Sequence, residues 1–160
     1  MQHRMAEMSI CGAMTVNGYR RRLPLSFCPT NASWGFDNRT VALRVIEGNE
    51  GATRIEKRDA GADCNPYLLL AADIAAGLDG IEAAMEPSPV TEGNAYEDSA
   101  APPIPLQLDD AIRQARASDW LCGVLGADQY EIWLQQAERE LAFFWQQVTP
   151  FETGRYLRVF

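Results

Sequence analysis

The run from Asn38 to Arg58, NRTVALRVIEGNEGATRIEKR, limits the possible folds more than any other stretch of the chain. Val41, Leu43 and Val45 fall on one side of a period-two pattern and Ala42, Arg44 and Ile46 on the other, which is the signature of a half-buried strand. Gly48-Asn49-Glu50-Gly51 then supplies turn chemistry. Beyond the turn, Arg54, Glu56 and Arg58 share one face, because alternate residues of a strand point the same way. The expectation is a hairpin that presents arginines and one carboxylate to a single anionic site.

Charge sharpens that expectation. The 160 residues carry a formal net charge of -8, which argues against a general nucleic-acid binder, since such proteins neutralise phosphates with excess Lys and Arg. Residues 20–58 nevertheless hold eight basic and four acidic side chains, while residues 59–160 hold five basic and seventeen acidic. A cationic segment inside an acidic chain suits a local site for a small anion. At 47% hydrophobic and 22% charged, the composition belongs to the folded globular class.

Cys11, Cys28, Cys64 and Cys122 have no CxxC spacing, and His3 is the one histidine, so reduced thiols are expected rather than a zinc site. The first sixteen residues lack a sustained apolar run ending in a cleavage site. The apolar stretch Tyr67 to Met85 is broken by Asp73, Asp79 and Glu82, which a bilayer core tolerates poorly. A cytoplasmic protein without a membrane span is expected.

Elsewhere helices dominate. Met5, Met8, Ile10, Ala13, Met14 and Val16 recur at roughly helical spacing with no N-cap residue ahead of them. In Arg20-Arg21-Arg22, extended backbone would turn Arg21 toward a site and its two neighbours to water. Asn65-Pro66 is an N-cap followed by proline at the first helical position, and the helix it opens is expected to reach about Met85, ahead of Pro87 and Pro89. Tyr67, Leu68, Leu69, Leu70, Ile74, Leu78 and Ile81 mark it as a core helix, with Gly77 and Gly80 allowing close packing. Residues 86–105 form a proline-rich loop of a length associated with function or mobility. Further helices are expected over Ala111 to Ala117, behind Asp109-Asp110, and over Ala127 to Val148, on a stripe of Tyr130, Leu134, Ala137, Leu141, Phe144 and Val148. Ser118 or Asp119 caps the turn between them, and Thr149-Pro150 starts a last short one.

Arg39, Arg44, Arg54 and Arg58 concentrate guanidinium forks that suit phosphate or carboxylate. Glu56 has two readings from spacing alone: a neutralising salt bridge, or an oxygen ligand to Mg²⁺ or Mn²⁺ beside bound phosphate.

Taken in order, Asn38-Arg39-Thr40, Leu43-Arg44-Val45, Arg54-Ile55-Glu56-Lys57-Arg58, Asn65-Pro66-Tyr67-Leu68 and Ala76-Gly77-Leu78-Asp79-Gly80-Ile81 closely resemble the C-terminal part of glutamine synthetases. Asn17-Gly18-Tyr19-Arg20-Arg21 upstream and Val148-Thr149-Pro150-Phe151-Glu152 downstream extend the likeness over essentially the whole chain. Trp34-Gly35-Phe36-Asp37 is more similar to the branch that joins glutamate to amines or polyamines. The resemblance implies an α+β fold in which antiparallel strands form one wall of an active-site barrel packed by helices. It implies a reaction in which ATP phosphorylates the glutamate side chain and ammonia or an amine displaces the phosphate, with Mg²⁺ or Mn²⁺ present. By motif, Arg21 would hold glutamate, Arg39 substrate and the transferring phosphate, and Arg44 the ATP phosphates. Glu56 would ligate a metal, Arg58 would hold glutamate or γ-glutamyl phosphate, and Arg54 would lie near the nucleotide.

Departures matter as much. Phe27 stands where ammonia-using members carry a glutamate, which implies another amine or an inactive chain, and Gly51 stands where the family carries a lysine, which weakens the nucleotide assignment. Tyr96 falls where some bacterial members are adenylylated, though an ordinary exposed loop tyrosine is the simpler expectation. Residues 1–160 would correspond to the last third of such a ligase, without its N-terminal β-grasp domain and the first half of its catalytic domain. His3 lies too near Arg21 to be the family's metal-binding histidine. Alone the chain is expected to be inactive and to self-associate or assemble with the missing half. The alternative is a non-catalytic remnant that binds anions or joins intact ligase subunits.

Overall fold

The computed structural model describes residues 1–159. Its sheet is small and consists of β1 (Trp34–Phe36), β2 (Leu43–Ile46) and β3 (Arg54–Lys57), in that order. The expected hairpin is β2–β3, antiparallel, with Arg44 opposite Glu56. The sheet is mixed rather than wholly antiparallel, because β1 runs parallel to β2 with Gly35 opposite Arg44. Residues 37–42 fold back to allow it: Asp37 adopts φ 46°, Asn38 Oδ1 accepts from Thr40 N at 2.9 Å, and Ser33 O accepts from Ala42 N and Leu43 N, each at 3.1 Å.

Alternation splits the sheet into two chemically distinct faces. Leu43, Val45, Ile55 and Lys57 point one way, toward α3 (Pro66–Glu82); Arg44 and Glu56 point the other. Asn65 caps α3 by accepting from Tyr67 N and Leu68 N at 3.0 and 3.4 Å, with Pro66 in the first turn. The helix stops at Glu82, short of Met85, because Ala84 turns left-handed at φ 46°. Met85 N then donates to Gly80 O and Ala84 N to Ile81 O, closing the end as a Schellman motif.

α3 is not the core helix its composition suggests. Only Leu68, Ala72 and Ala76 are buried, while Tyr67 is 82% exposed, Ile74 61% and Ile81 77%. Gly77 and Gly80 have nothing within 4 Å of where a Cβ would stand, so the close packing expected of them is not made. They line a cavity of about 400 Å³ with Trp34, Val45, Ile55 and Ile81 between α3 and the sheet.

Residues 1–19 break into a 3-10 turn (Gln2–Arg4) and two short helices, α1 (Ser9–Gly12) and α2 (Val16–Tyr19), instead of one continuous stripe. Met5, Met8 and Ile10 are buried against α4 (Leu108–Arg116), α5 (Asp119–Leu125) and α6 (Ala127–Trp145). Trp133 Nε1 donates to Ile10 O and Tyr130 Oη to Ala115 O, which locks α6 to this core. Ser118 caps α5 by accepting from Leu121 N at 3.0 Å. Helix α6 ends before Val148, which is exposed, and α7 (Pro150–Tyr156) begins with a capping box of Thr149 and Glu152.

Residues 86–105 are held in place by their hydrogen bonds. Thr91 N donates to Trp34 O at 2.9 Å, Ala95 N to Thr40 Oγ1 at 2.9 Å, and Asn31 Nδ2 to Ala95 O at 2.7 Å. Among the described residues no helix is long and apolar enough to cross a membrane.

Candidate functional site

Arg44 stands at the centre of the sheet's polar face. Its Nη1 donates to Glu56 Oε2 at 3.2 Å across the β2–β3 pair, and Glu56 Oε1 accepts from Arg58 Nη1. Arg58 Nη2 reaches on to Phe27 O at 3.1 Å. The row Arg44, Glu56, Arg58 and Phe27 is therefore one connected line.

The same guanidinium has a second partner. Arg44 Nε donates to Asp37 Oδ1 at 3.0 Å, and Nη2 reaches the same oxygen. The Arg44 hydrogen bond and charge hold the Asp37 carboxyl below its usual range, and Arg58 followed by Arg44 does the same for Glu56. Both carboxylates are ionised at neutral pH and offset the two arginines.

Arg21 approaches from the other side of the Phe27 loop and donates through Nη2 to Cys28 Sγ at 3.4 Å, while its buried Nη1 has no hydrogen-bond partner. Between Arg21 and Arg58 the backbone is strained: Leu25 and Phe27 both lie in the left-handed region, at φ 66° and 59°, and the Phe27 ring is 63% exposed. Arg39 is exposed at the entry to β2. Arg54 does not join the row: it lies at the far end of β3, exposed, with Nη1 donating to Ala52 O. Of the residues expected from sequence, the fold links Arg44, Glu56 and Arg58 directly, places Arg21 beside the same loop, and leaves Arg39 and Arg54 at the periphery.

The expected pattern for the three arginines does not hold, because the chain there leaves a helical turn rather than running extended. Arg22, not Arg21, goes fully inside. Its Nη1 donates to Ser9 Oγ at 2.6 Å and Pro105 O at 2.5 Å, and its Nη2 to Asp59 O at 3.3 Å. Asp59, also fully buried, meets Lys57 Nζ at 2.9 Å, which meets Asp73 of α3 at 3.2 Å. Burial lowers the Lys57 pKa, but Asp59 and Asp73 outweigh it, so the ammonium is held charged. The one signal of this network in the sequence is the Lys57–Asp59 spacing of two residues, which places both on one side of extended backbone.

Tyr96 is half-buried rather than freely exposed, since its hydroxyl donates to Cys28 O at 3.1 Å. All four cysteines are free thiols, and burial pushes Cys11 up to about 12.

An arginine–carboxylate row thus stands on the polar face of a small mixed sheet, with buried ion pairs on the other side. The family described as glutamine synthetase, catalytic domain, matches residues 1–156, and the chain belongs to that family. It is 37% identical over 155 residues to a glutamate–isopropylamine ligase of Pseudomonas sp, covering 96% of this chain and 34% of the relative. It is 39% identical over 140 residues to the gamma-glutamylputrescine synthetase PuuA of Escherichia coli (strain K12), covering 88% and 29%. A solved GmaS/ADP complex superimposes with a TM-score of 0.87 at 31% identity, covering 98% of this chain and 37% of that one. The chain thus spans about a third of the length of the relatives it matches.

Proposed function

We propose that this chain supplies one wall of the active site of an ATP-dependent ligase that joins the side-chain carboxylate of glutamate to ammonia or an amine through γ-glutamyl phosphate. The observation that carries the proposal is the linked row Arg44–Glu56–Arg58 on the polar sheet face with Arg21 beside it. Charge builds on a transferring phosphoryl group, so positioned guanidinium groups are the main requirement on this side of the site. Arg44 and Arg39 face the nucleotide phosphates in this reading, with Arg54 at the edge of the nucleotide. Arg58 and Arg21 hold glutamate or its phosphorylated form. Names of relatives such as glutamate–isopropylamine ligase, and Phe27 in place of a carboxylate, favour an amine acceptor over ammonia.

Mg²⁺ or Mn²⁺ would partner the phosphates, and Glu56 is the carboxylate placed to contribute. Its two oxygens already accept from arginines, and among the described residues no group of three or more His, Cys, Asp or Glu could hold a metal. The residues present offer one ligand, not a cation site. The exposed apolar ridge of α3, continuous with the cavity behind the sheet, fits a surface covered by the remainder of such a catalytic domain. Four free thiols fit a reducing compartment such as the cytoplasm.

The test is complementation. The chain is co-expressed with the first two-thirds of glutamate–isopropylamine ligase, and ATP- and glutamate-dependent amide formation is measured. Activity of the pair, its fall on the order of a hundredfold with Arg58→Lys, and none from either part alone are expected. Amide formation by the 160 residues alone overturns the shared-site reading, and a pair that associates without activity supports a non-catalytic, subunit-binding chain instead.

A further inference from the structure

The motif Trp34-Gly35-Phe36-Asp37 ends in a residue to which the reading above gives no role. Asp37 is the first residue after β1, its carboxylate is 78% exposed, and its backbone holds the left-handed conformation at φ 46°. An aspartate tolerates that conformation better than most residues do, but it is not the relaxed state of the chain. Two bonds fix it there: Asp37 N donates to Val45 O at 2.9 Å, and its side chain reaches back over β2 to Arg44.

The pattern of those contacts is specific. A guanidinium has five N–H groups in a planar fork. Asp37 Oδ1 takes Nε–H and one hydrogen of Nη2, which is the side edge of Arg44, and Glu56 takes one hydrogen of Nη1. One hydrogen each remains on Nη1 and Nη2 for the oxygens of a phosphate or carboxylate. Arg44 without Asp37 would keep one tether, to Glu56, about which the plane could swing.

We propose that Asp37 is a positioning residue for Arg44: it clamps the side edge of the guanidinium so that the remaining N–H groups are held toward the anion. This rests on the phosphate-wall reading for the identity of the anion, but not for the clamp itself. The clamp makes a prediction opposite to plain electrostatics. Removing a carboxylate beside an anion site should tighten anion binding if charge alone matters, and should weaken it if orientation matters.

The experiment uses the full chain labelled with ¹⁵N-arginine, the Arg44 Nε–H signal being assigned by its loss in Arg44→Lys. Asp37→Gly removes the carboxylate and suits the left-handed backbone; Asp37→Asn keeps an acceptor oxygen without the charge. Expected are slow exchange of Arg44 Nε–H with water in the wild type, exchange about tenfold faster or more in Asp37→Gly, and partial protection in Asp37→Asn, with the Arg58 signals unchanged. Titration with pyrophosphate is expected to bind Asp37→Gly several-fold more weakly than wild type, with Asp37→Asn between them. Equal protection in wild type and Asp37→Gly, or equal or tighter pyrophosphate binding by Asp37→Gly, overturns the proposal. Protection lost in Asp37→Gly with no pyrophosphate response from any form supports the clamp and overturns the phosphate-wall reading.

Discussion

Arg22 and Asp59, thirty-seven positions apart, meet with neither side chain exposed: Arg22 Nη2 lies 3.7 Å from Asp59 Oδ2 and 3.3 Å from Asp59 O. The contact joins the segment that carries Arg21 to the segment that carries Arg58. Lys57 and Asp73 extend it to α3, so strand, loop and helix are tied at one buried point.

Deleting one member of a buried charge group leaves its partners ionised without compensation, which costs about 3–5 kcal/mol. Asp59→Ala should therefore remove much of the stability of a domain that has roughly 5–15 kcal/mol in all. Urea denaturation followed by tryptophan fluorescence measures it. A loss below about 1 kcal/mol would mean that solvent reaches Arg22 and Lys57.

Gly35 lies under the loop it supports. A Cβ there would come within 2.8 Å of Thr91 O, the backbone of the proline-rich loop, while Thr91 N is bonded to Trp34 O. Backbone cannot yield as a flexible side chain does, so Gly35→Ala should cost about 1–3 kcal/mol and raise proteolysis within residues 86–105. Limited proteolysis with mass spectrometry locates the cut, and cleavage unchanged from wild type argues that the loop is pinned by its other contacts alone.

The outer face of α3 should behave as a surface in the isolated chain. Ile74→Glu and Leu78→Glu alter exposed positions and are expected to shift the melting temperature little, while reducing self-association seen by light scattering. Leu68→Glu, at a buried position on the same helix, should unfold the domain. If the two exposed substitutions unfold it as well, that face is packed in solution.

Alkaline pH should weaken the fold. The Cys11 thiol ionises near 9.0 when unfolded but only at about 12 in the folded chain, so the unfolded state sheds its proton first and stability falls over that interval. Tyr19, raised by burial, falls in the same direction. Lys57, raised by Asp59 and Asp73 against the effect of burial, contributes below 10.5 and loses that contribution as pH rises through its folded value. Cys11→Ala should flatten the stability profile between pH 9.0 and about 12. A profile as steep as wild type would assign the loss to Tyr19 and Lys57.

Local signals carried far in this chain. Asn65-Pro66, Ser118 and Thr149-Pro150 each start a helix where they stand, because a cap acts on N–H groups within one turn. That Glu56 and Arg58 share a face was likewise legible from period-two alternation, whereas the register that sets Arg44 opposite Glu56 was not. Burial was less so. The leucines and isoleucines of α3 read as core, yet alanines form its buried stripe, because which side of an all-round apolar helix is covered depends on what packs there.

The sequence by itself determined the family, the capped helices, the β2–β3 hairpin and the presence of Glu56 and Arg58 on one face, because these follow from spacing and short-range geometry. Tertiary structure alone decided that β1 joins the sheet in parallel, that Arg22 rather than Arg21 is buried, that Arg54 stands aside, and that Asp37 holds Arg44. Each of these depends on contacts between segments distant in the chain or on a backbone turn with positive φ, and no local period records them.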